Sequence, residues 1–107
     1  MEGIKIYEFE RTTTGFSFVF EKDLAAGETI IVKMPRISAN KRGVNDIGWM
    51  SDGNVTLWGT FSENPKSPKA LWQEIREHDE VNKTTAAVKI KNNDNVSRRI
   101  EMRAVLN

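Results

Sequence analysis

Few residues in this chain have the type and spacing to do chemistry. The single histidine, His78, sits within Arg76-Glu77-His78-Asp79-Glu80. A general base there would need a nearby nucleophile and shelter from water, and the charged neighbours promise neither. A solvated surface histidine is the stronger reading. The carboxylates Glu74 and Glu77, or Asp79 and Glu80, could act as a pair only if both faced one groove, and solubility of a helix explains them as well. Asp52-Gly53-Asn54 lacks the alternating acids of a calcium loop, and no GxGxxG or GxxxxGK[ST] phosphate loop occurs. The absence of cysteine removes disulfides, thiol nucleophiles and thiolate zinc sites. The expectation is a protein without catalytic residues, cofactor or metal.

Basic and aromatic residues carry more information. Lys33, Arg36, Lys41 and Arg42 gather around a stretch of about 20 residues, 35–54, that holds few strand signals. A loop of that length in a small domain is itself a sign of function. Lys89, Lys91, Arg99 and Arg103 share the outward parity of what reads as a closing hairpin, which would make a basic stripe interrupted by Glu101. Such a stripe suits nucleic acid or an acidic partner. The plainer reading, outward charges that keep sheets from pairing with strangers, outweighs it, because sixteen basic residues are matched by fifteen acidic ones. Trp72 and Trp49 read as core. Trp58 has the outward parity of its strand, which suits a sugar-stacking platform or an interface anchor.

The elements that must position these residues are mostly strands. Phe16, Phe18 and Phe20 alternate with Ser17, Val19 and Glu21, a core face on one strand. Asp23 to Glu28 reads as a turn in which Gly27 takes positive φ. Thr29 to Met34 forms the next strand, burying Ile30, Val32 and Met34, and Pro35 ends it. A short strand is expected around Ile47 to Met50, then a turn at Asp52-Gly53. Val55, Leu57 and Phe61 should face inward on the strand that follows. Ser67 as N-cap, Pro68 at the first helical position and the Ala70, Leu71, Trp72, Ile75 stripe predict one short helix to about Glu77. The last third reads as a hairpin: Ala86, Val88 and Ile90 face Ile100, Met102, Ala104 and Leu106 across an Asn92 to Asn95 turn.

With 107 residues, 38% hydrophobic and 29% charged, the chain suits one compact domain with a modest core. The fold class expected is all-β, an antiparallel β-sandwich, immunoglobulin-like or jelly-roll-like, with one short helix. Residues 1–14 are expected as an N-terminal strand or arm and 15–107 as the sandwich. The first residues lack the apolar run of a signal peptide, and no stretch approaches the ~20 residues of a membrane span. A protein kept in the compartment of its synthesis, or assembled there into something larger, is the expectation.

The Phe16 to Phe20 strand, the turn from Asp23 to Glu28 into Thr29 to Met34, the segments Ala70 to Ile75 and Glu80 to Lys83, and the closing Ala86 to Leu106 give the chain a resemblance. It resembles the small β-sandwich decoration, cement or staple proteins of tailed bacteriophage capsids. No residue role carries over from that family. The resemblance implies a non-enzymatic virion protein, assembled in the host cytoplasm, that binds the major capsid protein as a homodimer or homotrimer. The contact residues expected are Ile4, Ile6 and Tyr7 of the arm, Arg36, Lys41, Arg42 and Trp49 of the long loop, and Trp58. A carbohydrate-binding module using Trp58 or Trp49 is the alternative, and nucleic-acid binding through the basic stripe a third.

Overall fold

The computed structural model describes residues 4–12, 17–35, 44–76 and 85–106, without the side chains of 44–47 and 106. Among the described residues nine strands form two sheets. They are β1 (Lys5–Glu8), β2 (Glu10–Arg11), β3 (Ser17–Leu24), β4 (Thr29–Lys33), β5 (Val44–Ser51), β6 (Val55–Thr60), β7 (Gln73–Ile75), β8 (Ala87–Asn92) and β9 (Arg98–Leu106). The five-stranded sheet runs β1-β4-β8-β6-β7 and the four-stranded sheet β2-β3-β9-β5. The pairings are nested in sequence: β3 with β9, β4 with β8, and β6 with β7, all antiparallel.

Alternation decides what each strand buries. Phe18 and Phe20 on β3 lie opposite Ala104 and Met102 on β9, and all four are buried. On the facing sheet Ile30, Ile90, Leu57 and Ile75 form one register row across β4, β8, β6 and β7. Both sets belong to one core cluster, against which Tyr7, Phe9, Trp49 and Val55 pack. Burying each large aliphatic side chain contributes about 1.5–3 kcal/mol, which makes this cluster the main source of stability. Phe16, whose parity predicts the same face, lies outside the described residues. Gly27 has φ 70°, the left-handed conformation the β3–β4 turn requires, and no side chain stands within 4 Å of where its Cβ would be.

Several expectations are corrected. No helix occurs among the described residues. Ser67 instead accepts the Ala70 N–H on its carbonyl and the Lys69 N–H on Oγ, a local turn, and the chain then extends into β7 beside β6. Edge pairing of Gln73–Ile75 overrides the helical propensity of the stretch. Ile75 still reaches the core, but from a strand. Phe61 stands beyond the end of β6 and is exposed, while the inward position it was expected to share belongs to Gly59, opposite Val88. Within the 35–54 stretch Val44–Ser51 form β5, an edge strand on β9 that is longer than the strand expected at Ile47 to Met50, and residues 36–43 lie outside the described residues.

The closing hairpin is also corrected, because β8 and β9 belong to different sheets. Asn92 shows why. It is completely buried, its Nδ2 donates to the carbonyls of Leu24, Ala25 and Val96, and its Oδ1 accepts the Asp94 N–H. One side chain thus satisfies the backbone of both turns at that end and turns the chain across the core instead of back along its own sheet. Nor are all ladders antiparallel: β1 runs parallel to β4. The segment 4–12 supplies an edge to each sheet, β1 on β4 and β2 on β3.

Candidate protein interface

The outer face of the five-stranded sheet carries one row of side chains in register across every strand: Ile6, Ile31, Lys89, Trp58 and Glu74. Alternation puts this row opposite the core side. Ile31 is nonetheless fully buried, although it is not part of the core cluster. The Lys89 ammonium lies 5.0 Å from the Trp58 ring centre and 4.7 Å from that of Trp72. Trp72 immediately precedes β7, so this clasp fixes the 61–72 connection onto the sheet. Each cation–π contact contributes about 0.5–2 kcal/mol, more as the cation loses water. Desolvation does act here, holding the Lys89 pKa below its ordinary 10.5.

Beside the clasp lies a groove of about 400 Å³ lined by Thr60, Phe61, Leu71, Trp72, Gln73 and Glu74, among others. Gly59 forms its floor between Val88 and Gln73. A Cβ there would stand 3.0 Å from Ile75 Cδ1, a tight contact that the isoleucine side chain would have to yield to. At the lip, Phe61 is 67% and Leu71 85% exposed. Exposed apolar residues of this size, placed together on a held segment, are the composition of a protein-binding anchor. Among the described residues the buried Trp72 Nε1 has no hydrogen-bond partner.

The contact residues expected from sequence scatter. Trp58 and Ile6 share the outer row. One face of Trp58 is covered by Lys89 and the residue is half-buried, so it is not an open stacking platform. Ile4 is half-buried just before β1. Tyr7 packs inward at 5.8 Å from the Phe20 ring, with the Lys22 ammonium 5.2 Å from its own ring. Trp49 packs against the core from β5 in the other sheet, as its core reading has it. Arg36, Lys41, Arg42 and His78 lie outside the described residues.

The basic stripe does not form. Lys89 and Lys91 stand on the outer face of one sheet, Arg99 and Arg103 on the other. Arg99 contacts Glu21 at 2.8 Å, Asp23 at 3.2 Å and Glu101 at 3.7 Å, and Asp23 first, then Glu21, raise its pKa. Phe61 and Leu71 were expected in the core, from strand parity and helical spacing, and the Lys89–Trp72 contact has no local signal in the sequence.

Among the described residues no three His, Asp or Glu side chains gather as a metal site, and no helix is long and apolar enough to cross a membrane. Comparison with protein-family models, with curated proteins and with solved structures finds no match to this chain.

Proposed function

We propose that this chain is a non-enzymatic structural protein of a tailed-phage virion, a decoration or cement protein that binds the major capsid protein and stabilises the shell. The observation that carries this reading is the lip of the groove, where Phe61 and Leu71 stand exposed next to Trp72, itself held by Lys89. Burying exposed apolar side chains of this size against another protein supplies affinity, and the Lys89 contact on neighbouring Trp72 limits the ordering cost of the backbone that carries Leu71. The nested pairing β3–β9, β4–β8, β6–β7 favours the jelly-roll over the immunoglobulin-like form of the sandwich. Jelly rolls recur in viral capsid and lectin domains, a likeness of architecture that supports the reading by analogy. Symmetric repetition on a shell would make each small contact avid.

The test is reconstitution on shells that lack this protein. The wild-type chain should co-sediment with them to saturation at a fixed stoichiometry. Phe61→Ser with Leu71→Ser should fold and melt like wild type, yet lose binding by about 100-fold. Full binding by that variant would remove the groove from the interface.

A second reading has one observation in its favour: the groove sets the Trp72 indole beside Gln73 and Glu74, aromatic next to polar, as saccharide sites do. On that reading soluble glycans shift the Trp72 fluorescence and the double serine variant matters less than Gln73→Ala. A glycan panel without any such shift eliminates it.

A further inference from the structure

We propose that the Asp52-Gly53 linkage is a site of covalent self-modification, where the chain isomerises to isoaspartate, and that the fold gates the reaction through Ser51 and Arg99. The proposal rests neither on the groove as an interface nor on the virion role.

The chemistry starts from the sequence. Asp52 is the only aspartate or asparagine in the chain that glycine follows. A side chain on the following residue hinders ring closure, and glycine has none. The Gly53 nitrogen attacks the carbon of the protonated Asp52 carboxyl, so an N–Cγ bond forms and the Cγ–OH bond breaks. That hydroxyl leaves with the amide proton as water, and a five-membered succinimide remains. A second water opens the ring at the main-chain carbonyl. The chain then runs through Cβ and Cγ, with a carboxylate on Cα and no net change in mass.

Two separate contacts place this pair at the β5–β6 corner. Asp52 Oδ1 accepts the Arg99 N–H at 3.0 Å, and the Asp52 N–H reaches the Arg99 carbonyl at 3.4 Å. A Cβ on residue 53 would force the Arg98 side chain and Asp94 Oδ2 to move, and those two form an ion pair at 2.8 Å.

Hydrogen bonds also restrain both reacting groups. The Asp52 carboxylate is engaged on β9. The Gly53 N–H donates to Ser51 Oγ at 3.2 Å, and that hydroxyl donates to the Gly53 carbonyl at 3.2 Å. Both restraints must open before the ring can close. Asp52 and Gly53 are themselves exposed, so water reaches them. Once formed, isoaspartate lengthens the main chain beside Arg98 and Asp94 and withdraws the carboxylate from the Arg99 N–H. The modification is thus a lasting mark that the corner has opened.

The full chain, incubated at neutral pH with and without guanidinium chloride, tests this. Isoaspartate is read by labelling with an isoaspartyl carboxyl methyltransferase and located by peptide mapping. The unfolded chain should accumulate it at residue 52, and the folded chain about ten-fold or more slowly, because two hydrogen bonds must open first. Ser51→Ala, which frees the nucleophile, should speed the folded chain about five-fold. Asp52→Glu cannot close a five-membered ring and should give no product at that position. The modified chain should melt below the unmodified one. Equal rates in the folded and unfolded chain, no product at residue 52 in either, or an unchanged rate in a normally folded Ser51→Ala overturns the proposal. Should Ser51→Ala melt early, the comparison of folded with unfolded wild type still decides.

Discussion

The ammonium of Lys89 on β8 sits 4.7 Å from the ring centre of Trp72, a residue that local patterning assigns to a helix stripe in the core. With Trp58 on its other side at 5.0 Å, Lys89 becomes the pin that holds the 61–72 connection against the sheet. Leu71, the most exposed large apolar side chain among the described residues, is the immediate neighbour of that pinned tryptophan.

Removing Trp72 should return Lys89 to water. In the folded protein desolvation holds the Lys89 pKa below 10.5, and Trp72→Ala should move it back toward that value. An NMR titration of the lysine side chains checks this directly. The sign for stability follows from the unfolded chain, which binds the Lys89 proton more readily than the folded one. Stability attributable to this residue should thus rise as pH climbs from the depressed folded value to 10.5.

Asn92→Ala should be the most damaging polar substitution in the described core. It strips the carbonyls of Leu24, Ala25 and Val96 and the N–H of Asp94 of their shared partner. A loss of about 1–3 kcal/mol is expected, read as a lowered denaturant midpoint with an unchanged slope. Asn92→Asp should cost at least as much, since a carboxylate cannot donate to those carbonyls.

Acid should loosen the β5–β6 corner. The backbone N–H of Asn54, and then Arg98, hold the Asp94 carboxyl below its ordinary 3.8. A depressed carboxylate stabilises above its unfolded pKa and loses that contribution as pH falls through the folded value. Wild type should therefore lose stability below about pH 4 more steeply than Asp94→Asn does. A Cβ on Gly53 would collide with the Arg98 side chain and Asp94 Oδ2, so Gly53→Ala should weaken the same acid dependence. Thermal melts from pH 2 to 7 on the three proteins make the comparison.

Which side chains face inward was legible from alternation; which strand lies next to which was not. Phe18, Phe20, Ile30, Val32, Val88, Ile90, Ile100, Met102 and Ala104 all occupy the buried face their period-two spacing predicts. Gly27 likewise adopts the positive φ its place in a turn demands. Parity cannot distinguish a hairpin from a crossing between sheets, because both bury the same face. The difference at residues 92–95 lies in hydrogen bonds from Asn92 to the β3–β4 turn, about 70 residues away in the chain. The helix fails for a related reason: Ser67, Pro68 and the apolar stripe satisfy every local rule, yet β6 offers Gln73–Ile75 a ladder that no local window contains. The candidate interface was the least legible part, since Phe61 and Leu71 count as core on parity or helical spacing and become surface only once β7 is in place.

Shortening the N-terminal segment separates its two contributions. Tyr7 and Phe9 pack on Phe20, with ring centres 5.8 and 6.2 Å away. Tyr7→Ala with Phe9→Ala should therefore lower the melting temperature by roughly 10 °C or more, reflecting the lost aromatic burial. Shell binding measured well below that temperature should persist if Phe61 and Leu71 supply the contact. Loss of binding at full fold would move the interface to the N-terminal strands.

The most direct measurement is the copy number of this chain in phage particles purified from its source, by quantitative mass spectrometry against the major capsid protein. A fixed, near-integer ratio is the expected result, and a double Phe61→Ser, Leu71→Ser chain should be missing from otherwise intact particles. Absence of the wild-type chain from the particles would contradict a role in the virion.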